Sequence, residues 1–209
     1  VLDLRKNTGG SMKQAARVAD HFVDEGLLLR TAGSDGGRVQ NLQGRMEAVA
    51  DEFEVTAPII ILVDGRTASG SEILAGTLLQ LGRAALVGQM TYGKGTVQKI
   101  YTIGVGARLK LTVAEYLLSG DLRISAGGLK PDVAVADIIL GHEGVRYRGW
   151  SEVETGQTFD DILPVVTEHA SWRDQVHQPG DLRLELARRA LLKVKKGERS
   201  QILKALYQQ

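Results

Sequence analysis

The sequence predicts an α/β fold, in which strand-helix units surround a parallel sheet and are followed by an added hairpin and a mixed, partly helical C-terminal segment. Three observations predict it. The run Ile59-Ile-Ile-Leu-Val63 is apolar and largely β-branched, with no alternation, as a strand covered on both faces of a parallel sheet must be. An apolar stripe at helical spacing follows it, and then a second run of the same kind at Ala84 to Val87, which is the order that builds crossover units. From Thr96 onward the texture changes to short strands broken by Gly104-Val-Gly106, the mark of an antiparallel hairpin.

The elements follow in order. Val1 to Leu4 reads as a short strand ending in the turn cluster Asn7-Thr-Gly-Gly10. Met12, Ala15, Ala16, Ala19, Phe22 and Val23 then recur at helical spacing until Gly26. Leu27 to Leu29 suits a short strand, and Thr31 to Gly44 is polar and glycine-rich enough to predict an exposed loop. After the strand at 59–63, the second helix runs from about Gly70 to Leu81, with Ile73, Leu74, Thr77, Leu78 and Leu81 on one stripe. The hairpin strands are Val97 to Ile103 and Ala107 to Val113, and a wide turn leads into Leu129-Lys-Pro-Asp-Val133. Beyond Ala136 the chain holds both tryptophans and the turn signals Pro164 and Pro179-Gly180, so a boundary is placed near Asp137. Residues 137–209 are thus an appended segment of unknown role, ending in an apolar stripe over Leu186, Ala187, Ala190, Leu191 and Val194 and a shorter helix over Ile202, Leu203 and Leu206.

Composition excludes several function classes. With 26 basic and 25 acidic residues in 209, the formal charge of +1 gives no general pull toward nucleic acid or anionic membrane. Residues 181–209 alone are basic, eight Lys/Arg against three Asp/Glu, and a solvated face on a packed helix accounts for that. There is no cysteine, which removes disulfides, thiol catalysis and thiolate metal sites. No run approaches the length of a membrane span. His21, His142, His169 and His177 show no paired ligand spacing, and the acidic residues show no metal-loop pattern, so neither metal nor cofactor is expected.

The chemistry is concentrated in Thr67-Ala-Ser-Gly-Ser-Glu-Ile-Leu-Ala-Gly76 and Thr91-Tyr-Gly-Lys-Gly-Thr-Val-Gln98. Ser69 stands between a buried strand and a helix, where the first helical amides point at whatever lies above it and could hold an oxyanion. The same residues, Ser69-Gly-Ser-Glu72, also fit a capping box, and on the local pattern that is the commoner use. Ser71 is the rival hydroxyl. A serine hydroxyl needs a base, and Lys94 can serve if its amine is neutral, which burial favours. Gly93 and Gly95 allow close backbone packing and are expected to bury that amine. Gln98, neutral and four residues on, could orient it by a hydrogen bond. No phosphate-loop pattern surrounds Lys94, because G-x-x-x-x-G-K-[ST] is absent.

Taken in order, Leu2-Asp-Leu-Arg-Lys-Asn-Thr-Gly-Gly10, Thr67 to Gly76, Tyr92-Gly-Lys-Gly-Thr-Val-Gln98, Leu109-Lys-Leu-Thr-Val-Ala114 and Gly127-Gly-Leu-Lys-Pro-Asp132 resemble the signatures of the carboxyl-terminal processing, or tail-specific, proteases. The resemblance covers 1–136. It implies a ClpP/crotonase-like core of β-β-α units and a serine endopeptidase that works through a Ser-Lys dyad and an acyl-enzyme. The nucleophile falls on Ser69, the general base on Lys94, twenty-five residues later, and the orienting amide on Gln98. The oxyanion donors fall on the backbone of Gly70 and of Gly9. Two positions depart from the family pattern, with Gly70 where alanine is usual and Thr8 where proline is commoner.

The same resemblance implies protein or peptide substrates with accessible, apolar, unstructured C-terminal tails, no nucleic-acid partner, and a bacterial envelope or periplasmic location. It also implies a PDZ domain and further strands upstream of Val1, leaving a sheet edge there that could recruit a second copy as a homo-oligomer. Two rivals stand beside it. One is a non-catalytic binding or scaffold module on the same core, with Ser69 only a helix cap. The other is crotonase-type acyl-thioester chemistry, which would leave Ser69, Lys94 and Gln98 without a purpose.

Overall fold

The structure is a computed structural model, and it describes residues 1–35, 38–40, 44–50, 52, 54–135, 137–141, 144–148, 182–194 and 198–207. The elements are β1 (Leu2–Asp3), α1 (Met12–Asp20), β2 (Leu27–Asp35), β3 (Arg38–Gln40), β4 (Met46–Glu47), β5 (Ile59–Val63), α2 (Gly70–Gln80), β6 (Ala84–Gly88), β7 (Thr96–Thr102), β8 (Arg108–Leu117), β9 (Val133–Ala134), β10 (Asp137–Gly141), β11 (Gly144–Arg148), α3 (Leu182–Leu192) and α4 (Arg199–Tyr207). His142, His169, His177 and both tryptophans lie outside the described residues.

A parallel sheet in the order β1-β5-β6-β9 is the centre. Every residue of β5 and β6 is buried, which is why neither strand alternates in sequence. Alternate side chains go to opposite faces. Ile59, Ile61 and Val63 join Ile73, Leu78, Ala16 and Ala19 beneath α1 and α2. Ile60 and Leu62 join Ala85, Val87, Ala187, Ala190 and Ile202 under α3 and α4. The helices of the segment after Asp137 therefore cover the second face of the same sheet. Arg199 of α4 pairs with the Asp132 carboxylate, and the Tyr207 hydroxyl donates to the Asp132 carbonyl at 3.2 Å.

The second sheet, in the order β3-β2-β8-β7, is antiparallel. Here the sequence reading needs correction, because the strand expected to end at Leu29 runs on to Asp35, and β3 also lies within the loop expected over 31–44. Pairing of Arg30 to Gly33 with Ala114 to Leu117 supplies the reason. Cross-strand partners decide strand formation where the local sequence is polar and glycine-rich. Thr31 is buried there despite its polarity. The hairpin of β7 and β8 turns at 104–106 as expected, and its distal half is exposed.

Candidate active site

Ser69 sits where β5 hands the chain to α2. Asp64 closes the turn between them, its Oδ1 accepting from the amides of Lys6, Arg66 and Thr67 at 2.9, 3.0 and 3.0 Å. The Thr67 hydroxyl donates to the Leu4 carbonyl at 2.8 Å, and the Ala68 amide to the Asn7 carbonyl at 3.0 Å. The end of β5 and the turn after β1 are thus stitched into one ledge. Ser69 rests on it at φ 56° and ψ −120°, a conformation that costs an L-residue of order 1–3 kcal/mol and persists only where the surroundings impose it. Such a strained serine between strand and helix has the local form of a nucleophile elbow.

The turn of Asn7 to Gly10 packs directly on Ser69. A Cβ on Gly9, at φ +84°, would lie 2.4 Å from the Ala68 carbonyl oxygen and 2.5 Å from the Gly70 nitrogen, so only glycine fits. The Gly9 amide, chosen from the sequence as an oxyanion donor, instead donates to Asn7 Oδ1 at 2.9 Å. Its neighbour Gly10 also packs on Gly70, where a Cβ would lie 3.0 Å from the Gly10 nitrogen. Gly70 is the first helical residue, one of those whose amide the helix itself leaves unpaired.

Glu72 holds the site together, well beyond the capping role its S-x-x-E spacing predicts. Its side chain is completely buried, yet it meets no cation among the described residues. Oε2 accepts from the Ser69 amide at 2.8 Å and from the Lys94 amide at 2.9 Å. Oε1 accepts from the Gly93 amide at 2.7 Å and from the Thr91 hydroxyl at 2.5 Å. Four donors thus meet four lone-pair sites, the arrangement a buried carboxylate requires. The consequence is geometric: the main chains of Ser69 and Lys94 hang from one oxygen atom. The S-x-x-E spacing was the signal for Glu72, but nothing local announces that its partners include a loop twenty-two residues downstream.

The side chains are brought together less completely than the backbones. Lys94 is exposed, contrary to the burial expected from its flanking glycines. Those glycines do pack closely, with Cβ positions 2.9 Å from the Gly128 nitrogen for Gly93 and 2.5 Å from the Ser125 nitrogen for Gly95. Close packing there brings main chain against main chain while the lysine side chain stays exposed. Gln98, just past a register shift in β7, is also exposed. Among the described residues no hydrogen bond joins Ser69, Lys94 and Gln98 side chains. Ser69 itself is half-buried, and Ser71 is buried in the first turn of α2. No group of three or more His, Asp or Glu able to hold a metal occurs among the described residues.

Comparison with known proteins decides the family. The model of peptidase family S41 matches residues 1–135. The chain belongs to peptidase family S41. This S41 chain is 35% identical over 176 residues to the carboxy-terminal-processing protease of Bartonella bacilliformis, covering 78% of this chain and 40% of that protein. It is 38% identical over 134 residues to the chloroplastic carboxyl-terminal-processing peptidase 1 of Arabidopsis thaliana, covering 63% of this chain and 26% of the relative. Among solved structures, the photosystem II D1 C-terminal processing protease superposes with a TM-score of 0.56 at 32% identity, over 64% of this chain and 33% of that one. The chain therefore spans two fifths or less of the length of these relatives.

Proposed function

We propose that the S41 chain carries the catalytic core of a serine endopeptidase that cleaves proteins bearing accessible, apolar, unstructured C-terminal tails. The observation that supports it most is the shared Glu72 carboxylate, which fixes a strained serine and a glycine-flanked lysine on one anchor beside a glycine turn. In the reaction, neutral Lys94 takes the Ser69 proton as Oγ attacks the scissile carbonyl. The amides of Gly70 and of the turn at Gly9 and Gly10 receive the oxyanion, with Gly10 the donor whose hydrogen is not already given to Asn7. The Lys94 ammonium then protonates the leaving amine, and an ester on Ser69 remains. Lys94 takes a proton from water, hydroxide adds to the ester, and Ser69 leaves with the proton returned by Lys94. In this reading Gln98 orients the Lys94 amine.

The core is of the ClpP/crotonase type in this reading, and the catalytic unit comprises residues 1–136 together with α3 and α4. The C-terminal specificity extends to this chain the carboxyl-terminal processing of its relatives. A bacterial envelope or periplasmic location suits the bacterial relative, while plant relatives are chloroplastic. No described helix is long and apolar enough to cross a membrane. A homo-oligomer would form through the edge strand β1. Two observations favour the rival reading of a non-catalytic binding module: the exposed Lys94 makes no hydrogen bond to Ser69, and Ser69 and Glu72 form a capping box at the start of α2.

Cleavage of an unfolded protein with an apolar tail by the parent and by Ser69→Ala separates the two. The peptidase reading expects turnover by the parent and none by the variant, with both folded. Equal turnover by the two would end the role of Ser69, and no turnover by either would leave the binding module.

A further inference from the structure

The geometry points to Thr91 as a positioning residue for the Ser69/Lys94 pair, a role that rests on the peptidase reading. Thr91 lies three residues before Lys94, outside any helix or strand, and is only 5% exposed. Its hydroxyl works in both directions. It donates to Glu72 Oε1 at 2.5 Å and accepts from the Leu129 amide at 2.7 Å, while its own amide donates to the Leu129 carbonyl at 3.2 Å. Thr91 is thereby clamped twice to the turn at 127–129 and once to the carboxylate that holds the two reacting residues.

The fit around it is close. A Cβ on Gly128, at φ +87°, would fall 2.3 Å from the Thr91 carbonyl oxygen and 2.9 Å from its hydroxyl. Glu72 cannot rotate away without giving up the Thr91 donor, and the Lys94 loop cannot slide without breaking the Leu129 clamp. A valine has nearly the volume of threonine and lacks only the hydroxyl. It would leave the buried Leu129 amide without its acceptor and Glu72 with three donors in place of four, and a buried polar group stripped of its partner is costly. The local response is to re-aim Glu72, and with it the Lys94 amide. Serine keeps both hydrogen bonds.

The test compares the parent, Thr91→Val and Thr91→Ser, each verified as folded by thermal melting. Steady-state cleavage of one tail-bearing peptide is measured alongside amide hydrogen exchange of the 209-residue chain. Thr91→Val is expected to lower kcat about 10- to 100-fold, the scale of an ångström-sized misplacement, with KM within about twofold of the parent. Thr91→Ser is expected within about threefold of the parent. In Thr91→Val the Gly93 and Lys94 amides should exchange at least about tenfold faster, while Ile60 to Leu62 in β5 stay protected. Parental kcat and parental exchange in Thr91→Val would overturn the role, and so would a Thr91→Ser as impaired as the valine variant. Should the parent cleave nothing, the peptidase reading fails by itself, and the exchange data alone uphold or overturn the clamp.

Discussion

Ser69 and Gly70 show how backbone space limits this site at the level of single residues. Gly70 stands where the resemblance expects alanine, and a Cβ there would sit 3.0 Å from the Gly10 nitrogen and 3.2 Å from the Gly10 oxygen. That is tight contact with main chain, so Gly70→Ala should push the turn at Gly9 and Gly10 outward by a few tenths of an ångström. We expect a kcat loss of about two- to tenfold, well short of the loss from deleting an oxyanion donor, with probe labelling of Ser69 retained. Steady-state kinetics beside labelling rates would check it, and a faster enzyme would mean that the native turn is too close. Local signals, a helix start and a glycine-flanked lysine, single out Ser69, Lys94 and the glycine turn as candidates, and only the resemblance gives them and Gln98 their roles. The sequence did not reveal that Asn7 occupies the Gly9 amide, nor that Glu72 joins positions 69, 93 and 94. Those facts depend on where distant segments meet, which no spacing encodes.

The buried strands and their two crossover helices were read correctly as elements, since an uninterrupted apolar run and a helical stripe have periods of their own. The long β2 was not, because its outer half is a strand by virtue of β8. The segment after Asp137 hid more. Its basic stripe suggested a solvated face, and the apolar side of the same helices covers Ile60, Leu62, Ala85 and Val87. Ile202, fully buried there, makes the cooperative coupling testable. Ile202→Ala should cost about 2–5 kcal/mol in denaturant unfolding, with β5 and α2 losing structure in the same transition. A separate low-stability transition confined to α3 and α4 would show that these helices fold apart from the sheet. Arg199→Ala should loosen the Asp132 turn, seen as faster exchange of the Leu86 amide, which donates to Asp132 at 2.9 Å. Unchanged exchange would assign the hold to the Tyr207 bond.

Across the whole molecule, a parallel sheet covered on both faces presents the end of one central strand, and the turn after the edge strand β1 closes over it. Site and core are therefore one construction: Asp64 and Thr67 fasten the two turns, Glu72 fastens the lysine loop, and α3 and α4 support the sheet from behind. The exposed Lys94 is the open point of the proposed reaction, since its side chain makes no hydrogen bond to Ser69 among the described residues. The most direct measurement is intact-mass and peptide-map analysis after exposure to a serine-directed phosphonylating probe, for the parent and for Lys94→Arg. Arginine keeps the charge but cannot act as a base at neutral pH. The account predicts one adduct, on Ser69 in the parent, and at least about a hundredfold slower labelling in Lys94→Arg, the usual scale for removing a general base. An adduct on Ser71 or none in the parent, or equal labelling of the two proteins, would contradict it.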